Sequence, residues 1–134
     1  MHQAMGALDV RMTLHAHGDA PPEVVWERYT DLERWPKWSP QIRAVEAASM
    51  QLRAGLTGTV VGPLGFRVPF VVVEVGIRSW AWEVRPLGMR LVLDHRVLPR
   101  LGGAATELRM RGPVPLLLAY APFAKVALTR LVSW

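Results

Sequence analysis

The chain of 134 residues contains no cysteine. This excludes disulfides, thiolate nucleophiles and cysteine-ligated metal sites. Lysine is almost missing as well: Lys37 and Lys125 stand against 14 arginines. The arginines are scattered from Arg11 to Arg130, with no basic run and no nucleic-acid motif. A formal charge of +5 and a pI near 10.7 therefore imply no specific nucleic-acid partner. There is no phosphate loop, dinucleotide fingerprint, nucleophile elbow or metalloprotease motif, so no cofactor is expected. His15 and His17 lie two apart on one strand face without a third ligand in register, so no metal is expected. Charged residues make up only 20% and hydrophobic ones 51%, too apolar for a disordered chain. Met1 to Asp9 has neither a charged nor an apolar leader segment, and the expectation is one cytoplasmic domain over 1–134.

Alternation supplies the first positive signal. From Leu8 to His17, Val10, Met12, Leu14 and Ala16 share one side, which marks a half-buried strand. Gly18 and Asp19 break it. Pro21 and Pro22 then suit a first helical turn, with Asp19 or Ala20 as the expected N-cap. Val25, Tyr29 and Leu32 fall on one helical face, and Pro36 is expected to bar helix from Trp35 and end this helix near Glu33. Six further strands are predicted at Ile42–Ala48, Thr57–Gly62, Phe66–Val75, Arg78–Arg85, Arg90–Leu98 and Thr106–Arg111, separated by glycine and proline turns. Pro69 implies an edge or a bulge in the long fourth strand. Pro113 to Trp134 is almost wholly apolar and reads as a helix across a concave sheet rather than a membrane span, with a kink or break at Pro122. Its inner ridge is expected at Leu117, Tyr120, Ala124, Leu128 and Leu131.

Ala20-Pro21-Pro22-Glu23-Val24-Val25-Trp26 and Asp31-Leu32-Glu33-Arg34-Trp35-Pro36-Lys37-Trp38-Ser39-Pro40 resemble the helix opening and tryptophan turn of the START-like superfamily, in particular its polyketide cyclase/dehydrase branch. Gly55-Leu56-Thr57-Gly58, Ser79-Trp80-Ala81-Trp82 and Asp94-His95-Arg96-Val97 are similar to its glycine turn and its fifth and sixth strands. The resemblance covers nearly the whole chain. It implies an α+β helix-grip fold: a curved antiparallel sheet of about seven strands wrapped around a long C-terminal helix, with an apolar cavity between them. It names no reaction, because the superfamily includes cyclases, lipid carriers and quinone-binding proteins.

Inward parity then picks the candidate site. The expected wall is Trp80, Trp82, Leu91, Leu93, His95, Leu108, Met110, Leu117, Tyr120 and Leu128, and the partner is a hydrophobic small molecule that is lipid-, quinone- or polyketide-like. His95 is the sharpest candidate, as a general acid–base or as a hydrogen-bond donor to a ligand carbonyl, with Tyr120 as a second donor in a cyclase or dehydratase. The bland alternative is a core histidine bonded to the backbone. Glu46 and Glu74, amid apolar runs, are candidate buried carboxylates. Trp35 and Trp38 are expected to pin the turn. A third reading is an interaction module with a filled core. Membrane contact would then be peripheral, and the protein a monomer or homodimer.

Overall fold

The computed structural model describes residues 9–134. Leu8, expected to open the first strand, and the N-terminal segment read as lacking a leader lie outside the described residues. β1 (Asp9–Gly18) leads into α1 (Pro22–Thr30), a 3-10 turn (Leu32–Arg34) and the single turn of α2 (Trp35–Trp38). Six strands follow: β2 (Ala44–Ala47), β3 (Thr57–Val61), β4 (Arg67–Val75), β5 (Ser79–Val84), β6 (Leu91–Arg100) and β7 (Gly103–Pro113). α3 (Val114–Leu131) ends the chain. All pairings are antiparallel, in the spatial order β1-β7-β6-β5-β4-β3-β2. The curved sheet grips α3, which is the helix-grip arrangement that the family resemblance implied.

The register explains where the core lies. Trp80 faces His95 and His95 faces Leu108; Trp82 faces Leu93 and Leu93 faces Met110. The inward residues of β5, β6 and β7 thus form rows across the sheet, and all six are buried. Their neighbours Asp94, Arg96 and Arg109 point to water. Glu83 sits between Arg85 and Arg90, each at 2.7 Å. Such exposed ion pairs add little stability. At the opposite end of the sheet, β7 starts so close to β1 that a Cβ on Gly103 would collide with the carbonyl of Gly18.

Five local expectations are corrected. Pro21, not Asp19 or Ala20, is the N-cap of α1, and no side chain caps the helix. The C-terminus occupies both expected groups instead: the Trp134 amide donates to the Asp19 carboxylate at 3.0 Å, and the Ala20 amide donates to the Val132 carbonyl at 3.0 Å. Trp35 is helical (φ −53°, ψ −43°), because Pro36 falls in the first turn of α2, where its missing N–H has no partner to lose. α1 ends earlier than expected, at Thr30. The bulge in β4 is at Val73, between Val72 and Glu74, while Pro69 sits in an internal strand. Pro69 is tolerated because it lies past the last β4–β5 rung, where its carbonyl accepts from the Arg85 amide at 3.0 Å. α3 runs through Pro122 without a break, with the proline on the solvent side.

α3 is long and apolar enough to cross a membrane by length and composition. Leu117, Ala124, Ala127, Leu128 and Leu131 are nevertheless buried against the sheet, so it is the core helix. Its C-terminal carbonyls, which no helical N–H can satisfy, are taken by Arg28. That guanidinium donates to Leu131 O at 2.7 Å and to Ser133 O at 2.6 Å.

Candidate functional site: an apolar cavity with a polar inner niche

The tryptophan turn builds the floor of the site. Trp35 stacks on Trp80 (5.4 Å, 26°) and meets Trp82 edge-on (5.1 Å, 73°). Its indole N–H donates to the Tyr29 carbonyl at 2.9 Å, and the Trp38 indole donates to the Arg28 carbonyl at 3.1 Å. Both bonds tie α2 back onto the end of α1. On the other side of Trp80 lies the His95 ring, parallel at 4.0 Å and 4°. Tyr29 meets His95 edge-on at 5.3 Å.

This packing sets the chemistry of His95. Burial among aromatic rings pulls its pKa down to about 3, with the nearby Trp80 carbonyl opposing the shift. The imidazole is therefore neutral at physiological pH. Its Nδ1–H donates to Trp80 O over a long 3.4 Å, which leaves Nε2 as an acceptor. The Tyr29 hydroxyl bonds Thr106 Oγ1 at 3.2 Å, and burial raises its pKa. Tyr120 is likewise raised by burial, and its hydroxyl accepts from Gln41 Nε2 at 3.1 Å. Both tyrosines stay phenols at neutral pH.

Two adjoining spaces lie between sheet and helix. The outer one has a volume of about 230 Å³ and a predominantly apolar lining, with Val60, Val68, Val84, Leu91 and Leu93 from the sheet and Leu116, Ala119 and Phe123 from α3. Pro63, Phe66 and Pro86 form its mouth. The inner one, about 20 Å³, is bounded by Tyr29, Trp35, Trp38, Ser39, Trp80, His95, Leu108 and Leu128. That is room for about one water molecule. Gln41, Ile42, Trp82 and Tyr120 border both. Around the inner niche, Ser39 Oγ, Gln41 Oε1, Trp80 Nε1 and Trp82 Nε1 are buried without a hydrogen-bond partner among the described residues. Each such orphan costs about 1–3 kcal/mol. Four such groups border one small space.

The sequence-derived wall is divided between these spaces. Trp82, Leu91, Leu93 and Tyr120 line the outer cavity; Trp80, Trp82, His95, Leu108, Tyr120 and Leu128 line the niche. Met110 and Leu117 line neither, because both are fully taken up in packing between α3 and the sheet. Glu46 and Glu74 are corrected: both are exposed. Glu46 pairs with Arg67, whose hydrogen bond and charge hold the carboxyl below its usual range. Glu74 is turned outward beside the bulge at Val73. His15 Nε2 lies 3.1 Å from Glu107, and no group of three metal-ligating side chains occurs among the described residues. Gln41 and Ser39 were not singled out from the sequence, nor were the mouth residues. A recurring Pro-Leu-Gly, at 63–65 and 86–88, was the available signal for the mouth.

Comparison with known proteins agrees with this geometry. No curated protein sequence matches the chain. Solved structures share the fold at low identity. Protein MLL2253 from Mesorhizobium loti superposes with a TM-score of 0.73 at 12% identity, over 91% of this chain and 96% of that one. A hypothetical protein, jhp0584 from Helicobacter pylori, gives 0.67 at 16% identity, over 92% and 85%. Ara h 8.0201 gives 0.66 at 11% identity, over 89% and 95%. Family and fold together support hydrophobic ligand binding or cyclase-like chemistry in general terms. The family model described as "Polyketide cyclase / dehydrase and lipid transport" matches residues 9–133, and the chain belongs to that family.

Proposed function

We propose that the chain binds one small, largely apolar molecule that carries a single polar end. The body fills the outer cavity and the polar end enters the niche. The observation that carries this reading is the junction of a predominantly apolar cavity with four unpartnered polar atoms. Affinity comes from apolar burial, at roughly 25 cal/mol per Å². Orientation comes from the Trp80 and Trp82 N–H groups as donors and Gln41 Oε1 and His95 Nε2 as acceptors. A carbonyl or hydroxyl matches that set. Ligand pockets run roughly 300–1,000 Å³. A cavity of about 230 Å³ therefore favours a single ring system or a short chain.

The test is native mass spectrometry of freshly purified protein, with extraction and identification of any adduct. A stoichiometric apolar adduct is expected. Trp82→Phe keeps an aromatic ring but removes one donor, and should weaken rebinding of that compound about fivefold, the value of one hydrogen bond near 1 kcal/mol. Ala119→Trp fills the outer cavity and should abolish the adduct while the protein still folds. An apo mass, together with no thermal shift from quinones, fatty acids or aromatic polyketides, would sink the reading.

A cyclase or dehydratase is the second reading, favoured by the family description and by Tyr120 and His95 bordering the niche. His95 is in its proton-accepting form at neutral pH, yet a base of pKa about 3 is weak. That weighs toward binding. Turnover of a polyketide that collapses in His95→Ala and Tyr120→Phe, with binding retained, would reverse the order.

A further inference from the structure

The β3–β4 connection reads Pro63-Leu64-Gly65-Phe66-Arg67, and the β5–β6 connection reads Pro86-Leu87-Gly88-Met89-Arg90. Each is one 3-10 turn with the same unusual backbone. Leu64 and Leu87 have φ of 62° and 54°, and the glycines after them 76° and 77°. A left-handed backbone is unfavourable for leucine and tolerated by glycine or asparagine. Leu64 is 100% exposed and Leu87 77% exposed, so no packing within the chain offsets that conformational cost. Two strained, solvated leucines in twin turns call for a partner outside the chain.

Both turns stand at the cavity mouth, which Pro63, Phe66 and Pro86 line. α3 begins at the same end of the sheet, directly after β7, and leaves Val114, Leu118 and Phe123 more than one-third exposed. A helix that faces only water normally shows polar residues there. The charge at this end has a net positive excess, although Arg67 is paired with Glu46 and Arg85 and Arg90 with Glu83. By strand register, Arg11, Arg43, Arg67, Arg85, Arg90 and Arg111 gather here, all exposed, against Asp9, Glu46 and Glu83. A second copy of the chain would bring the same cationic rim against itself. An anionic lipid surface complements it and accepts exposed leucines.

We propose that this end of the molecule docks on anionic lipid bilayers, with Leu64 and Leu87 inserted at the headgroup–acyl boundary and the cavity mouth opening onto the membrane. The docking does not depend on what the cavity holds. At the opposite end of the sheet, Ile77 and Leu101 are also fully exposed, but neither lines the apolar cavity. They serve as internal controls.

The experiment is co-sedimentation of the full chain with phosphatidylcholine vesicles, with and without phosphatidylglycerol, at low and high salt. Binding is expected to the anionic vesicles and to weaken with salt. The double variant Leu64→Asn/Leu87→Asn removes two insertable side chains and should lower binding about tenfold or more. Asparagine relieves the left-handed strain, so this variant should melt no lower than the wild type, which separates lost docking from lost folding. Ile77→Asn/Leu101→Asn should bind like the wild type. The proposal is overturned by absent vesicle binding, by equal binding to neutral vesicles, or by binding that the Leu64/Leu87 variant retains. It is equally overturned by a lipid-free dimer that the same variant dissociates.

Discussion

Between pH 7 and pH 3 the protein is expected to lose about 4 kcal/mol of stability through His95 alone, and His95→Phe should remove that part of the slope. The sign follows from proton binding. His95 has a folded pKa of about 3, below the ordinary 6.5 of an unfolded histidine. Between those values the unfolded chain binds a proton that the folded chain refuses. The stability is therefore complete above the unfolded pKa and drains away as pH falls toward the folded one. Phenylalanine can occupy the same place against Trp80 without a titrating group. Denaturant unfolding of both proteins at several pH values, followed by tryptophan fluorescence, measures the difference directly. A gap between wild type and variant that stays constant from neutral to acid pH would mean that His95 is not buried as a neutral ring.

Trp35→Ala is expected to cost about 3–5 kcal/mol, the range for a large aromatic removed from a close-packed core. Trp35 is 1% exposed and packs against Trp38, Phe70, Trp80 and Trp82. Its loss opens a cavity and strands the Tyr29 carbonyl that its N–H satisfies. Trp35→Phe should cost clearly less, since a ring still fills most of the space. Chemical denaturation gives the ranking, and near-ultraviolet circular dichroism should lose intensity as the stacked indoles separate. If alanine and phenylalanine cost the same, the hydrogen bond rather than the stack is the anchor.

The sequence was most readable where one physical signal acted alone. In β5, β6 and β7 a clean alternation put Trp80, Leu93, His95 and Leu108 inward, and the register confirms each of these faces. The apolar ridge of α3 was legible for the same reason. Reading failed where two signals competed. The bulge at Val73 shifts the parity of β4, so that Glu74 could not be assigned a face by counting. Asp19 looked like a helix cap, but the distant C-terminus made the stronger claim on its carboxylate. Gln41 carries no pattern at all: it lies between α2 and β2, and its place beside Tyr120 depends on a contact 79 residues away. The strain at Leu64 and Leu87 is a backbone property, invisible until the turns are built.

Pro122 gives the last helix a mechanical character. α3 is fixed at one end by the corner with β7 and at the other by Arg28 and the Val132 carbonyl. Between these supports, Ala119, Tyr120 and Phe123 roof the outer cavity. Pro122 has no N–H, so one rung of the helical ladder is missing midway along the roof, on its wet side. The helix is a beam held at both ends and notched in the middle. Load from below bows it outward at the notch, where water can solvate the freed carbonyl of Leu118. The weakest rung of the helix thus lies over the cavity that the helix roofs.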